Sequence, residues 1–352
     1  MKQYLSIIAG LLISALFIYL IFTQISVEDI SDSLYKLMQN DHYLYIIPGT
    51  LIYLLSHVVN AFRWQKILMA NDFRKVPIFP LYRIVAMSFM INSLLPARIG
   101  EVSKGYFLNK KEKVPLGVAV ATVASERFFD MLVVVYFIVI SFFTLDIAGN
   151  MERLMPSLIQ KYPILEGFDP AYALYFVIGF LNIIIIAILI FRKNYDKLVF
   201  LIRKILFWLP KDHILFEKFK HFFSDIKFFT HPKQLIEIMI YSIIVWFLYA
   251  LSFYFFIEAF QIAVHPLGVL FIIGITALAI AIPSAPSGMG VFEFAFAVSI
   301  ILVGGTNFKL AISCALILHA VQIVTISAIG LYFLIKGNVA LKDLTKKEMS
   351  EG

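Results

Sequence analysis

The stretch FMINSLLPARIGEVSKGYFL, residues 89–108, decides how this chain is threaded. An apolar arm, 78–95, runs into Pro96-x-x-x-Gly100, a carboxylate follows at Glu101, and a short helix over 96–108 leads away. Arg63, Lys66, Arg74 and Lys75 precede the arm; Arg98, Lys104, Lys110, Lys111 and Lys113 follow it. Cytoplasmic loops are the ones that carry an excess of Lys and Arg. If 78–95 crossed a bilayer, one of its two basic flanks would lie outside. The conflict vanishes if 78–108 enters from the cytoplasm, turns near the middle and returns as a re-entrant hairpin.

The remainder of the chain is built for lipid. Of 352 residues, 61% are hydrophobic and 15% charged, and the mean hydropathy is +0.88. A soluble domain is usually about 45–50% apolar and about 25% charged. That excludes a disordered chain, a disulfide scaffold and an ordinary cytosolic enzyme. About 20 apolar residues span a bilayer core as a helix, and six runs qualify: 5–25, 43–62, 116–145, 171–191, 235–258 and 310–335. The first is too long for a signal-peptide core and lacks an A-x-A cleavage site, so it reads as a retained helix.

A second hairpin has the opposite flanks. In AIAIPSAPSGMGVFEFAFAVSIIL, residues 279–302, the arm 267–284 reaches Pro286-x-x-x-Gly290, Glu293 follows, and a helix occupies 290–303. Neither 259–266 nor 304–308 contains Lys or Arg, so this hairpin should dip in from outside. The expectation is an all-α polytopic membrane protein with six full spans and two re-entrant hairpins in an inverted repeat. Its halves are 43–145 and 235–335, and both termini are cytoplasmic in an inner (plasma) membrane. Of the 30 Lys and Arg, the outer loops then hold Lys36, Arg153 and Lys161, with Lys309 at a boundary. Inverted repeats with broken helices near the midplane recur in transporters.

Between the halves, 192–233 is rich in Lys and Arg, and Leu215, Phe219, Phe222, Ile226 and Phe229 make one apolar helical face. It reads either as an amphipathic helix on the anionic inner leaflet or as a helix packed on the ends of the bundle. With no separate basic domain, the net charge of +7 gives no case for nucleic acid.

Candidate chemistry comes from charges inside apolar runs, which are costly and mark pathways by default: Arg98, Glu101, Glu126, Arg127, Asp130 and Glu293. Glu126 and Asp130 share one helical face and repel unless paired. Arg127 reaches Asp130, while Glu126 needs a cation from the first hairpin, Arg98 or Arg83. A structural ion-pair network and a head-group site are both compatible with this set. Proline suits the first turn of a helix, and a helix beginning inside the membrane points N–H groups at an anion. Pro96, Gly100, Pro286, Ser287, Gly288 and Gly290 are therefore candidates for an anion cradle, with two proline kinks in buried helices as the alternative. His57, His319 and Cys314 read as buried packing residues. No metal-ligand spacing, cofactor motif, nucleotide-binding loop or catalytic serine or zinc signature is present, so neither catalytic residues nor cofactors are expected.

Three ordered motifs resemble a known family: Asn92-Ser-Leu-Leu-Pro-Ala-Arg-Ile-Gly-Glu-Val, Ser125-Glu-Arg-Phe-Phe-Asp and Ile282-Pro-Ser-Ala-Pro-Ser-Gly-Met-Gly-Val-Phe-Glu. They look like the transmembrane flippase-like domain of lysylphosphatidylglycerol synthases, here without the aminoacyl-transferase domain. The resemblance implies movement of a charged-head-group lipid between leaflets, such as an aminoacylated phosphatidylglycerol or a polyprenyl-linked lipid. It also implies membrane lipids as partners, with a separate lipid synthase or a second copy of the chain as further possibilities. Two rivals stand beside this reading: a membrane-embedded transferase using Glu126 or Asp130, and a non-transporting partner of a lipid-modifying enzyme.

Overall fold

The computed structural model describes residues 2–161 and 232–336, apart from positions 24, 40, 72, 96–97, 282–283 and 306, together with residue 179. Apart from residue 179, the expected span 171–191 lies outside the described residues, as do nearly all of the basic stretch 192–233 and Pro96. Every regular element among the described residues is helical. They are α1 (Lys2–Phe22), α2 (Val27–Gln39), α3 (Ile46–Ala70), α4 (Ile78–Leu94), α5 (Ile99–Glu112) and α6 (Leu116–Thr144). After these come α7 (Ile147–Lys161), α8 (Pro232–Ala259), α9 (Pro266–Ala281), α10 (Val291–Leu302) and α11 (Phe308–Lys336). The chain is an all-α, multi-pass membrane protein.

Among the described residues, four helices are long and apolar enough to cross a bilayer: α3 with the 3₁₀ turn before it, α6, α8 and α11. The 21 residues of α1 coincide with the first expected span. Its second half meets α2 at 74°. The two arms α4 and α9 are shorter, with 17 and 16 residues. Prolines mark several starts. Pro77 and Pro115 immediately precede α4 and α6, and Pro232 and Pro266 open α8 and α9, positions where the missing N–H costs no helical bond.

Three antiparallel crossings organise the packing. Along α3 and α8, Lys66 pairs with Glu237 at 2.7 Å, Arg63 reaches Ser242 at 3.4 Å, the Tyr53 and Tyr249 rings lie 6.0 Å apart, and Gly49 packs under Phe256. Along α6 and α9, the Ser141 hydroxyl donates to the Leu267 carbonyl at 2.9 Å, and Gly274 lies against Ile138. Along α4 and α11, Phe79 meets Phe333, and Gly330 lies against Ala86 and Met90. Each crossing thus contains a glycine where backbones approach, the packing favoured when lipid removes the hydrophobic drive between helices. The short helix α4 thus rests on α11, and the short helix α9 on α6. One cluster of buried apolar residues lies mainly on α3–α6 and another mainly on α8–α11.

Each short arm turns back on the helix after it. The pairs α4–α5 and α9–α10 are both in close contact. Their tips meet: Arg98 at the first turn donates to the carbonyl of Ile280, near the end of α9, at 2.8 Å.

Candidate functional site

A cavity of about 360 Å³ lies where the two tips meet, between α3, α4, α6, α8, α9 and α11. Its wall is largely apolar, with Phe89, Val245, Phe253, Ile273 and Phe292 among its residues, but Arg98, Glu101, Arg127 and Asp130 also line it. Four of the six charged candidates therefore share one wall.

Behind that wall is a nearly enclosed layer of charge, which Asp130 joins to the cavity. Glu126 and Asp130 stand one turn apart on α6. Arg63 lies between them, at 2.5 Å from Asp130 and 3.5 Å from Glu126, with no exposed side-chain surface. Lys104 of α5 pairs with the other oxygen of Glu126, and its ammonium sits 4.2 Å from the Trp64 ring centroid. The Trp64 indole N–H is anchored on Thr122 at 3.0 Å. Asp130 also accepts from the Trp246 indole at 2.8 Å. Charges this deep are tolerable only when paired and hydrogen-bonded, and every carboxylate here is.

The expected partner of Glu126 is thus corrected. Neither Arg98 nor Arg83 reaches it; Arg63 and Lys104 do. Arg83 instead lies beside the Phe79 and Phe333 rings. Arg63 escaped the sequence reading because the apolar run stops at residue 62, which placed it in a cytoplasmic loop. The helix continues to Ala70, and those two further turns carry Arg63 into the core. Two acids on one face of α6 were the signal that two cations were owed.

The layer facing the cavity is looser. Arg127 bridges Asp130 at 3.0 Å and Glu101 at 3.5 Å, and Arg98 meets the same Glu101 oxygen at 3.4 Å. Their side chains are 39% and 40% exposed, so both guanidiniums keep faces open to whatever enters. Arg98 holds a left-handed backbone, φ 54° and ψ 35°, as α5 begins. Among the described residues of both layers, four cations meet three carboxylates, leaving one positive charge in excess.

The anion cradle is built differently from expectation. The Gly100 N–H already donates to Asn92 Oδ1 at 2.7 Å, and the Gly290 N–H to Glu293 Oε2 at 2.7 Å. A Cβ on Gly100 would strike the Ser88 carbonyl and the Asn92 side chain, and one on Gly290 would come within 2.9 Å of Ile18 and the Ser14 carbonyl of α1. Both glycines therefore serve helix packing, and neither lines the cavity. Gly288 and Ser287 do line it. Glu293 is buried at 4% exposure; its other oxygen meets His319 Nδ1 at 2.7 Å, so it does not face the cavity. His319, read as a packing residue, lines the cavity, whereas His57 is buried on the Tyr53 carbonyl at 2.8 Å. Cys314 is fully buried.

A helical, multi-pass membrane protein with a charged cavity where two short-helix tips meet is the class that this geometry defines. The profile described as lysylphosphatidylglycerol synthase TM region matches residues 7–330. The chain belongs to that family. It is also similar to two proteins of Methanocaldococcus jannaschii. UPF0104 membrane protein MJ1595 is 30% identical over 146 residues, 38% of this chain and 41% of that protein. UPF0104 membrane protein MJ1078 is 24% identical over 259 residues, 73% of this chain and 99% of that protein.

Proposed function

We propose that this protein moves a lipid with a charged head group between the leaflets of the plasma membrane, by alternating access around the cavity between the two tips. The observation that carries the reading is the cavity wall: a mostly apolar surface on which Arg98 and Arg127 keep open guanidinium faces. Arginine forks match phosphate oxygens in geometry and charge, and the excess positive charge favours an anion. Glu101 and Asp130 would meet a cationic substituent, such as an aminoacyl group. Candidate lipids are aminoacylated phosphatidylglycerol and polyprenyl-linked phosphates.

In this reading α4–α5 and α9–α10 are re-entrant hairpins of an inverted repeat, with both chain termini cytoplasmic. The antiparallel crossing of α3 with α8, the opening helices of the two halves, supports the inversion. The ion pair between Asp29 and Lys309 at 3.0 Å supports placing 26–42 and 304–308 on one side. A separate lipid synthase is the natural source of the substrate. The deciding measurement is purified protein in liposomes carrying a phosphate-headed fluorescent lipid, with dithionite quenching to read each leaflet. Accelerated exchange that is lost in Arg98→Ala and Arg127→Ala is expected; exchange no faster than in protein-free liposomes would end the transport reading.

A further inference from the structure

The second hairpin tip holds an arrangement that head-group binding does not use. Ser287 Oγ lies 3.0 Å from His319 Nε2, and His319 Nδ1 lies 2.7 Å from Glu293 Oε1. A carboxylate only accepts hydrogen bonds, so Nδ1 carries the proton and Nε2 is left to accept one from the serine hydroxyl. Each part is held. Glu293 is fixed through its second oxygen by the Gly290 N–H, and the Phe292 ring stacks on the imidazole with centroids 4.1 Å apart. Ser287 adopts φ 60°, a left-handed backbone rare for a residue with a side chain, in a three-residue turn on the cavity wall. Strain of this kind concentrates at functional sites.

An independent observation points to a ligand there. Gln322, three residues after His319 on α11, is 9% exposed and lines the same cavity. Its side-chain Nε2 is buried without a hydrogen-bond partner. A buried, unpaired amide donor is costly unless something in the cavity accepts from it.

We propose that Ser287, His319 and Glu293 are the nucleophile, base and positioning carboxylate of an ester-cleaving site, acting on a carboxylic ester of a phospholipid held in the cavity. Nucleophile, base and orienting group stand in the relation that acyl transfer needs, a relation recognised by geometry and not by fold. Ser287 Oγ attacks the ester carbonyl while its proton passes to His319 Nε2, and Glu293 stabilises the imidazolium. Gln322 Nε2 donates to the carbonyl oxygen as it becomes negative. The carbon–oxygen bond to the alcohol breaks, and that alcohol leaves with the proton from His319. Water then gives its proton to His319 and attacks the acyl-serine, releasing the carboxylic acid and restoring the Ser287 hydroxyl. Arg98 and Arg127, on the same wall, supply the phosphate contact. The proposal rests on the cavity of the transport reading but not on transport itself.

The test uses full-length protein in detergent micelles and a fluorophosphonate probe, with the adduct mapped by peptide mass spectrometry. No gradient or second leaflet is involved, so failure here leaves transport standing, and failed transport leaves this result standing. The expected result is an adduct on Ser287, absent from Ser287→Ala, with a labelling rate at least tenfold lower in His319→Gln. In Glu293→Gln the rate at saturating probe should fall while the half-saturating concentration holds; a merely structural change would alter the amount of reactive protein instead. Fatty acid or amino acid release from phosphatidylglycerol or aminoacyl-phosphatidylglycerol vesicles would then identify the ester. Folded wild-type protein that takes no label at Ser287, or labelling undiminished in folded His319→Gln, would overturn the proposal.

Discussion

The two hairpin tips follow one plan and are wired in opposite ways. Each has an arm, a proline, a glycine four residues on, and a carboxylate just inside the next helix. At the first tip Glu101 faces the cavity and is shared by two arginines. At the second, Glu293 turns inward, closing the amide of its own helix start and holding a histidine. Motif spacing alone therefore does not assign a role. The neighbours do: the first tip lies against α6 with its acids and Arg127, the second against α11 with His319 and Gln322. The first is a loose, net-positive surface suited to a charged ligand. The second is a compact, hydrogen-bonded unit.

The comparison depends on the two tips entering from opposite sides, and the largest expected effect tests that. Single cysteines at 110–113 should react with an impermeant maleimide only from the cytoplasm, and those at 28–36 only from outside. The native Cys314 is buried and adds no background. Labelling of 110–113 from outside would remove the first re-entrant hairpin, and the inverted repeat with it.

Next in size is the difference between the enclosed and open layers of charge. Arg63→Met removes the cation shared by Glu126 and Asp130, leaving them only Lys104 and Arg127, and losing one member of a buried pair typically costs about 3–5 kcal/mol. The thermal midpoint in detergent should fall steeply, with expression falling too. Arg98→Ala touches an ion pair that is partly exposed, which is worth roughly 0–1 kcal/mol, so the midpoint should barely move while lipid exchange drops. Equal losses of stability in the two variants would erase the distinction between scaffold and surface.

How much of this was legible follows from which physical signals are local. The long helices and the membrane class are written in runs of apolar residues. The candidates Arg98, Glu101, Arg127 and Asp130 stood out as charges in apolar surroundings. Arg63 and Lys104 did not, because each sits near the end of an apolar run, where charge is expected, and only packing reveals that the helix carries them inward. The facing of Gly290 toward α1, and the pairing of His319 with Glu293 across 26 residues of chain, depend on tertiary contacts that no local pattern encodes.

The glycines of the second tip give the third test. Gly288 and Gly290 hold φ of 79° and 84°, so valine at either is strained. At Gly290 the added atoms also strike α1, and overpacking with backbone strain typically costs about 1–3 kcal/mol. Loss of exchange in Gly290→Val should therefore track loss of thermal stability. At Gly288 the side chain meets Ile280 on the cavity wall, so Gly288→Val should lose exchange beyond what its stability accounts for. If Gly290→Val proved stable yet inactive, the cavity would extend to α1 and the difference between these glycines would close.

The smallest effect lies far from both tips, at the start of α2. Ser26 and Asp29 form a reciprocal cap: the Ser26 hydroxyl accepts from the Asp29 N–H at 3.1 Å, and Asp29 accepts from the Ser26 N–H at 2.9 Å. The Ser26 amide, then Lys309, lower the Asp29 carboxyl from 3.8 to about 2. A carboxyl lowered on folding adds stability that is complete above its unfolded value and is lost as pH falls through the folded one. Asp29→Asn should therefore lower the thermal midpoint slightly at neutral pH, since it keeps an acceptor for the cap but loses the charge facing Lys309. The gap between variant and wild type should narrow as pH drops below 3.8 and close only once pH is below about 2. The group is solvent-exposed, so added salt should shrink the gap as well. Were the gap to persist unchanged at the lowest pH, the ion pair to Lys309 would not be what ties α2 to α11, and the apolar contacts of Leu34 and Leu37 would carry that join alone.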